Sequence, residues 1–213
     1  MPFAQQPVIN VYDAFNNLRT NDSSTVVSAR RIAGSGTLSG TTNATALNGV
    51  ASFTDLSHTL ATNITIAFSS GSLTAVTSSI VAVSEDSFAR LLVLLPGETH
   101  TPGVAPGKTG TPAATAGSNT LVRVLATDAN FNLVNTITDT VGITCTDTNA
   151  TLPADFALVN GTNAVNLVFK TATNQTVTAT DLTDGGKTPG TAAVAVAAGV
   201  FAKIQLIVPG ETR

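Results

Sequence analysis

The string FARLLVLLPGETH at residues 88–100 returns as FAKIQLIVPGETR at residues 201–213. The patterns before each copy also pair up, in the same order. YDAFNNL at 12–18 answers TDANFNL at 127–133, and NGVASF at 48–53 answers NGTNAVNLVF at 160–169. NITIAF at 63–68 answers QTVTAT at 175–180, and SSIVAVS at 78–84 answers TAAVAVA at 191–197. A period of about 114 residues therefore governs the chain, which predicts one domain of ordinary size built twice.

Within that period the side chains alternate. Ile9 and Val11 alternate with Asn10 and Tyr12, and Ile64, Ile66 and Phe68 alternate with Thr65 and Ala67. Leu91, Val93 and Leu95 share a face, as do Val122, Val124 and Ala126, and Val165, Leu167 and Phe169. Such short runs, broken by Gly, Asn, Asp and Pro, predict antiparallel strands joined by frequent turns. No segment keeps a capped helical period. The fold class expected is all-β, a sandwich in each copy.

Composition removes several classes of function. Charged residues are 11% of the chain and the net charge is -3, which gives no footprint for nucleic acid. No apolar run approaches the roughly 20 residues that span a bilayer, so no membrane insertion is expected. The start, MPFAQQP, has neither a basic nor an apolar segment, so no signal peptide is expected there. Few lysines among many Thr and Asn, on a β pattern, favour export.

Candidate chemistry is sparse. Cys145 is the sole cysteine and shares a strand face with Val141 and Ile143, which predicts a buried, inert thiol. GVAPGKT at 103–109 has one residue too few between its glycines for a phosphate loop and reads as a surface loop. DGGKT at 184–188 reads as a hairpin turn. DANFN at 128–132 spaces oxygen side chains as calcium loops do, but it lacks the Gly and the closing Glu. Asx turns explain it and DAFNN at 13–17 together. No cofactor is expected, with calcium as the alternative at Asp128. His58 and His100 have no nucleophile near them in sequence, and no enzyme is expected. Lys170, after Phe169 on the outward alternation, reads as solvated rather than as half of an isopeptide bond. Asn21, Asn43, Asn63, Asn149, Asn160 and Asn174 begin Asn-x-Ser/Thr sequons, acceptors only in a glycosylating source.

The runs Asp13-Ala14-Phe15-Asn16-Asn17-Leu18 and Asp128-Ala129-Asn130-Phe131-Asn132-Leu133, with residues 146–181 as a whole, carry a resemblance. The chain resembles the bacterial immunoglobulin-like (Big-type) domains found in tandem in very large surface and secreted proteins, including the invasin and intimin type. The resemblance implies two tandem immunoglobulin-like antiparallel β-sandwiches, located extracellularly or at a bacterial or archaeal cell surface.

Aligning the copies places Met1 opposite Ala116 and Arg213 opposite His100. The expected domains are 1–87, an immunoglobulin-like domain lacking its first strand; 88–200, a complete one; and 201–213, the first strand of a next repeat. A sandwich without its first strand leaves a bare edge and an open core. The acceptor groove is expected at Ile9, Val11, Ile64 and Ile66. The donor face is Ile204, Leu206 and Val208, matching Leu91, Val93 and Leu95. The linker SEDS at 84–87 is too short for the chain to fold back on itself easily, so a neighbouring copy is the expected donor. That predicts a structural subunit of an extracellular filament, a head-to-tail homo-oligomer assembled by strand complementation. The alternative is an adhesin module, an immunoglobulin-like piece excised from a giant surface protein, that binds a ligand through the Thr/Pro/Gly loop at 99–117.

Overall fold

Along strands such as Asn63–Ser69 and Gly190–Ala197 buried and more exposed side chains alternate, because a pleated chain turns successive residues to opposite faces. The computed structural model, which describes residues 3–210 and 212, holds nineteen strands and no helix among them. Along the first half run β1 (Val8–Asn10), β2 (Val26–Ala33), β3 (Leu38–Ser39), β4 (Asn43–Thr45), β5 (Val50–Ser52), β6 (Ser57–His58), β7 (Asn63–Ser69), β8 (Val76–Thr77) and β9 (Val81–Ala82). The second half holds β10 (Arg90–Leu94), β11 (Glu98–His100), β12 (Lys108–Gly110), β13 (Ala114–Thr115), β14 (Asn119–Thr127), β15 (Thr140–Cys145), β16 (Phe156–Ala157), β17 (Thr162–Val168), β18 (Asn174–Asp181) and β19 (Gly190–Ala197). Among the described residues no helix is long and apolar enough to cross a membrane.

Contacts divide the chain into two units. One comprises Met1–Arg90 with His100–Thr109 and Ala126–Thr136; the other comprises Leu91–Thr99, Gly110–Leu125 and Ile137–Arg213. Two segments that follow residue 90 in sequence thus belong to the first unit.

In the second unit, one sheet has the order β10-β14-β17 and the other β13-β19-β18-β15-β16. The pairs β14–β17, β15–β18 and β18–β19 are antiparallel, whereas β13 runs parallel to β19. With β10, β14 and β17 on one sheet, and β15, β18 and β19 on the other, the strands stand as A, B and E against C, F and G of an immunoglobulin sandwich. Its core alternates: Val177 and Ala179 on β18, and Ala192, Val194 and Val196 on β19, are buried. β10 departs from the expected alternation. Leu91, Leu92, Val93, Leu94 and Leu95 are all buried, as an unbroken apolar run requires when both faces of a strand are covered.

The first unit has the sheet β4-β2-β7-β8, with β9 also on β7, and the separate pairs β1-β5 and β3-β6. Its core joins Val11 and Ala51 from the β1-β5 side to Val27, Ala29, Ile64, Ile66 and Phe68 from the other sheet. The Phe53 and Phe68 rings meet at 5.4 Å, tilted. Tight hairpins recur at equivalent places. Asn48 and Gly49 have φ of 53° and 81°, Asn160 and Gly161 have 51° and 73°, and the flanking pairs Leu47/Val50 and Val159/Thr162 exchange both backbone bonds. Positive φ at both central residues is what a type I′ turn demands, which explains the Asn-Gly pair.

Candidate functional site

β1 pairs with β5 through Val8↔Ser52, Ile9↔Ala51 and Asn10↔Val50, and with nothing on its other side among the described residues. Beside that bare edge lies a groove of about 480 Å³. Ile9, Val11 and Tyr12 form one wall, Val27 and Phe68 the floor, and Leu73, Thr74 and Val76 the far wall.

The second half of the chain shows what a covered edge looks like. There β10 lies along β14. Ala89 N donates to Thr127 O at 2.9 Å, Thr127 Oγ1 donates to Arg90 O at 3.2 Å, and Leu91 N donates to Thr188 O at 3.0 Å. The alignment of the two halves carries Thr127 to Tyr12 and Thr188 to Ala75, on opposite walls of the groove or beside them. Tyr12 bridges Leu18 on one side, as Thr127 bridges Leu133. Its other side faces the opening.

Of the expected acceptor residues, Ile9 and Val11 line the groove. Ile64 and Ile66 are 1% exposed and sit inside the core; on their strand it is Phe68 that reaches the groove. The sequence signal available was the face of β7, shared by all three, and alternation carries no information on which end of a strand is open. Residues 201–210 form no strand. Ile204 and Leu206 are 87% and 83% exposed, and Val208 is 46% exposed.

At one end of the groove the chain turns a corner through residues 13–18. Asp13 Oδ1 accepts Phe15 N at 2.8 Å and Asn17 N at 2.9 Å, and Asn17 Nδ2 donates to Asp13 Oδ2 at 3.0 Å. Asn16 has a φ of 64°. The Asn17 side chain, then the Asn17 and Phe15 backbone donors, hold the Asp13 carboxyl below its ordinary range. The corner at 128–133 has the same bonds. Asp128 Oδ1 accepts Asn130 N and Asn132 N, Asn132 Nδ2 donates to Asp128 Oδ2, and Phe131 has a φ of 64°. Asp86 N also donates to Asp128 Oδ2, at 3.0 Å. Both oxygens of Asp128 thus accept N–H donors, as Asx-type turn bonds at the corner require.

The other sequence candidates fall elsewhere. Cys145 is half-buried rather than buried; its thiol donates to Asp147 O at 3.4 Å, and burial pushes its pKa up, away from nucleophilic character. His58 is fully buried with Nδ1 2.8 Å from Leu60 O, and His100 Nε2 lies 2.7 Å from Phe131 O. The glycine-rich loop at 103–109 runs through turns into β12, with no helix behind it. The DGGKT segment joins β18 to β19 as a hairpin, with Lys187 Nζ 3.1 Å from Asp184 Oδ2. Lys170 is exposed.

No family model matches the chain, and no curated protein sequence does. Among solved structures, the chain is similar to the D0-D1 domain of Intimin, 14% identical over 89% of this chain and 88% of that one, with a TM-score of 0.34. It is also similar to a beta-glycosidase from Bacteroides vulgatus, 8% identical with a TM-score of 0.42, covering 90% of this chain and 24% of that one. A third is Bacteroides uniformis beta-glucuronidase 3, 13% identical with a TM-score of 0.36, covering 83% and 21%. The chain thus spans less than a quarter of either glycosidase. These scores are too low to speak to function.

Proposed function

We propose that the chain is an extracellular structural module of immunoglobulin-like sandwiches that assembles head to tail by β-strand complementation, residues 201–210 of one copy entering the groove beside β1 of the next. The open groove carries the reading: its walls are the counterparts of those that hold β10, and residues 201–208 are the counterpart of β10's own segment. Ala202 N then donates to Tyr12 O and Ile204 N to Ala75 O, as Ala89 N does to Thr127 O and Leu91 N to Thr188 O. Burying Ile204, Leu206 and Val208 stabilises by about 5–9 kcal/mol before the costs of association and ordering. Donor and acceptor are different surfaces, so each added copy presents a fresh groove or strand and the contact propagates head to tail.

Two measurements test this. Analytical ultracentrifugation and negative-stain microscopy of the full chain show concentration-dependent polymers, and deletion of residues 203–213 abolishes them. A peptide of residues 201–210 then binds the shortened chain. A full chain that stays monomeric at high concentration, or filaments that survive the deletion, overturns the proposal. The adhesin reading has less geometric support, because part of its loop is tied down: Thr59 Oγ1 donates to Gly103 O, and Gly103 N donates to Asn130 O. Specific capture of a glycan or matrix protein by the monomer would favour it.

A further inference from the structure

We infer that the corner at residues 13–18 is a docking face for the loop end of another sandwich of this chain's own kind, specifically for residues 170–174 and Gly199 of a second copy. The inference rests on the assembly reading above and supplies a second contact, one that fixes the angle at which successive copies meet.

The corner has a twin. Within the first unit, the corner at 128–133 is seated on the loop before β7. Asn132 Nδ2 donates to Thr59 O at 2.8 Å, and Ala61 N donates to Asn132 Oδ1 at 2.9 Å. With Asp86 N on Asp128, one carboxylate and one carboxamide take three backbone groups of that loop end. Asp128 is 0% exposed and Asn132 3%. The corner at 13–18 has the same internal bonds and the same φ at its fourth residue, yet Asp13 and Asn17 are exposed, with Tyr12 at 51% and Phe15 at 84%. Asn17 spends one amide N–H on Asp13, which leaves its other N–H and its Oδ1 presented outward, where Asn132 uses them. An aromatic pair beside an outward-facing clamp of this kind suits a partner surface better than water.

The complementary loop exists in the chain. TATN at 171–174 precedes β18 as TLATN at 59–63 runs into β7, one residue shorter, and Ala172 and Thr173 are exposed. Carrying the bonds across, Ala172 N donates to Asn17 Oδ1, Asn17 Nδ2 donates to Thr171 O, and Gly199 N donates to Asp13 Oδ2. Thr171 O already accepts Thr173 N at 3.1 Å and has a second lone pair for this. Loop 170–174, Gly199 and Ala202 follow one another in the same order as loop 58–63, Asp86 and Ala89, so one copy carries what both corner and groove would take.

The test is disulfide trapping in the full chain. With Cys145→Ser as background, Asn17→Cys and Ala172→Cys are combined and oxidised at assembling concentration. The expected result is a ladder of covalent multimers on a non-reducing gel, absent from either single variant. Asn17→Ala weakens association about tenfold, and the melting curve of the dilute chain reads separately the loss of its bond to Asp13. No ladder, together with unchanged association of Asn17→Ala, overturns the inference. If Leu206→Asp still abolishes assembly in that case, the strand reading stands without the corner. If the unsubstituted chain never associates, both fall.

Discussion

At the scale of single residues, aspartates do most of the polar work, and they differ in sign. Asp22 Oδ1 accepts Ser24 N and Thr25 N. Bonding to Thr25's side chain, then to the Ser24 and Thr25 backbone, lowers its pKa to about 2. Burial opposes ionisation of Asp147, but N–H donors from Lys170, Thr171 and Asn149 and the Thr171 hydroxyl outweigh it and leave the pKa at about 2. A depressed carboxyl contributes stability that is present above its unfolded value of about 3.9 and is lost as pH falls through its folded one. Calorimetry should therefore show the melting temperature dropping between pH of about 4 and about 2, and Asp22→Asn with Asp147→Asn should flatten that limb. Asp139 runs the other way. Burial, then the charge of Asp181, raises its pKa. Asp181 is 3% exposed and its Oδ2 has no donor. A raised carboxyl gives stability below its unfolded value that fades as pH rises through the folded one. Asp139→Asn can donate to Asp181, so it should raise the melting temperature at pH 7 and remove that decline.

At the scale of elements, the two apolar strings at 88–95 and 201–208 separate what a sequence favours from what an edge permits. Leu91 is 2% exposed within the β10-β14-β17 sheet, so Leu91→Ala should cost about 2–5 kcal/mol in urea unfolding. Its counterpart Ile204 and the neighbouring Leu206 are exposed, and Leu206→Ala should leave the dilute chain within about 0.5 kcal/mol of the parent. The hairpins make a sharper demand. A Cβ on Gly49 would sit 2.6 Å from Arg19 O at a φ of 81°, so Gly49→Ala should destabilise by about 1–3 kcal/mol, read from the same curves.

At the scale of the whole molecule, association driven by an apolar strand and backbone bonds has a characteristic response to salt. Each copy carries a net charge of -3, so the long-range term between copies is weakly repulsive and is screened by added salt. Sulfate also strengthens apolar burial. Sedimentation should show polymer growing as sodium sulfate rises; a contact built on ion pairs would dissolve over the same range.

What the sequence determined by itself is local. The period of two set the strands, Asn-Gly set the I′ hairpins, and Asp with a second Asn four residues on set both corners, because those bonds close within a few residues. What the tertiary structure decided is which edge and which face are covered. LLVLL alone does not say that Leu92 and Leu94 are as buried as Leu91 and Val93. The face shared by Ile64, Ile66 and Phe68 does not say that only Phe68 reaches a groove. Two corners with the same bonds end up differently, Asp128 enclosed and Asp13 in the open, because the loop that covers the first comes from about 70 residues away in sequence. The physical reason is common to all of these. A strand's hydrogen bonds belong to its neighbour, so residues 90–94 are a strand on β14 and residues 203–207, paired with no strand among the described residues, are coil.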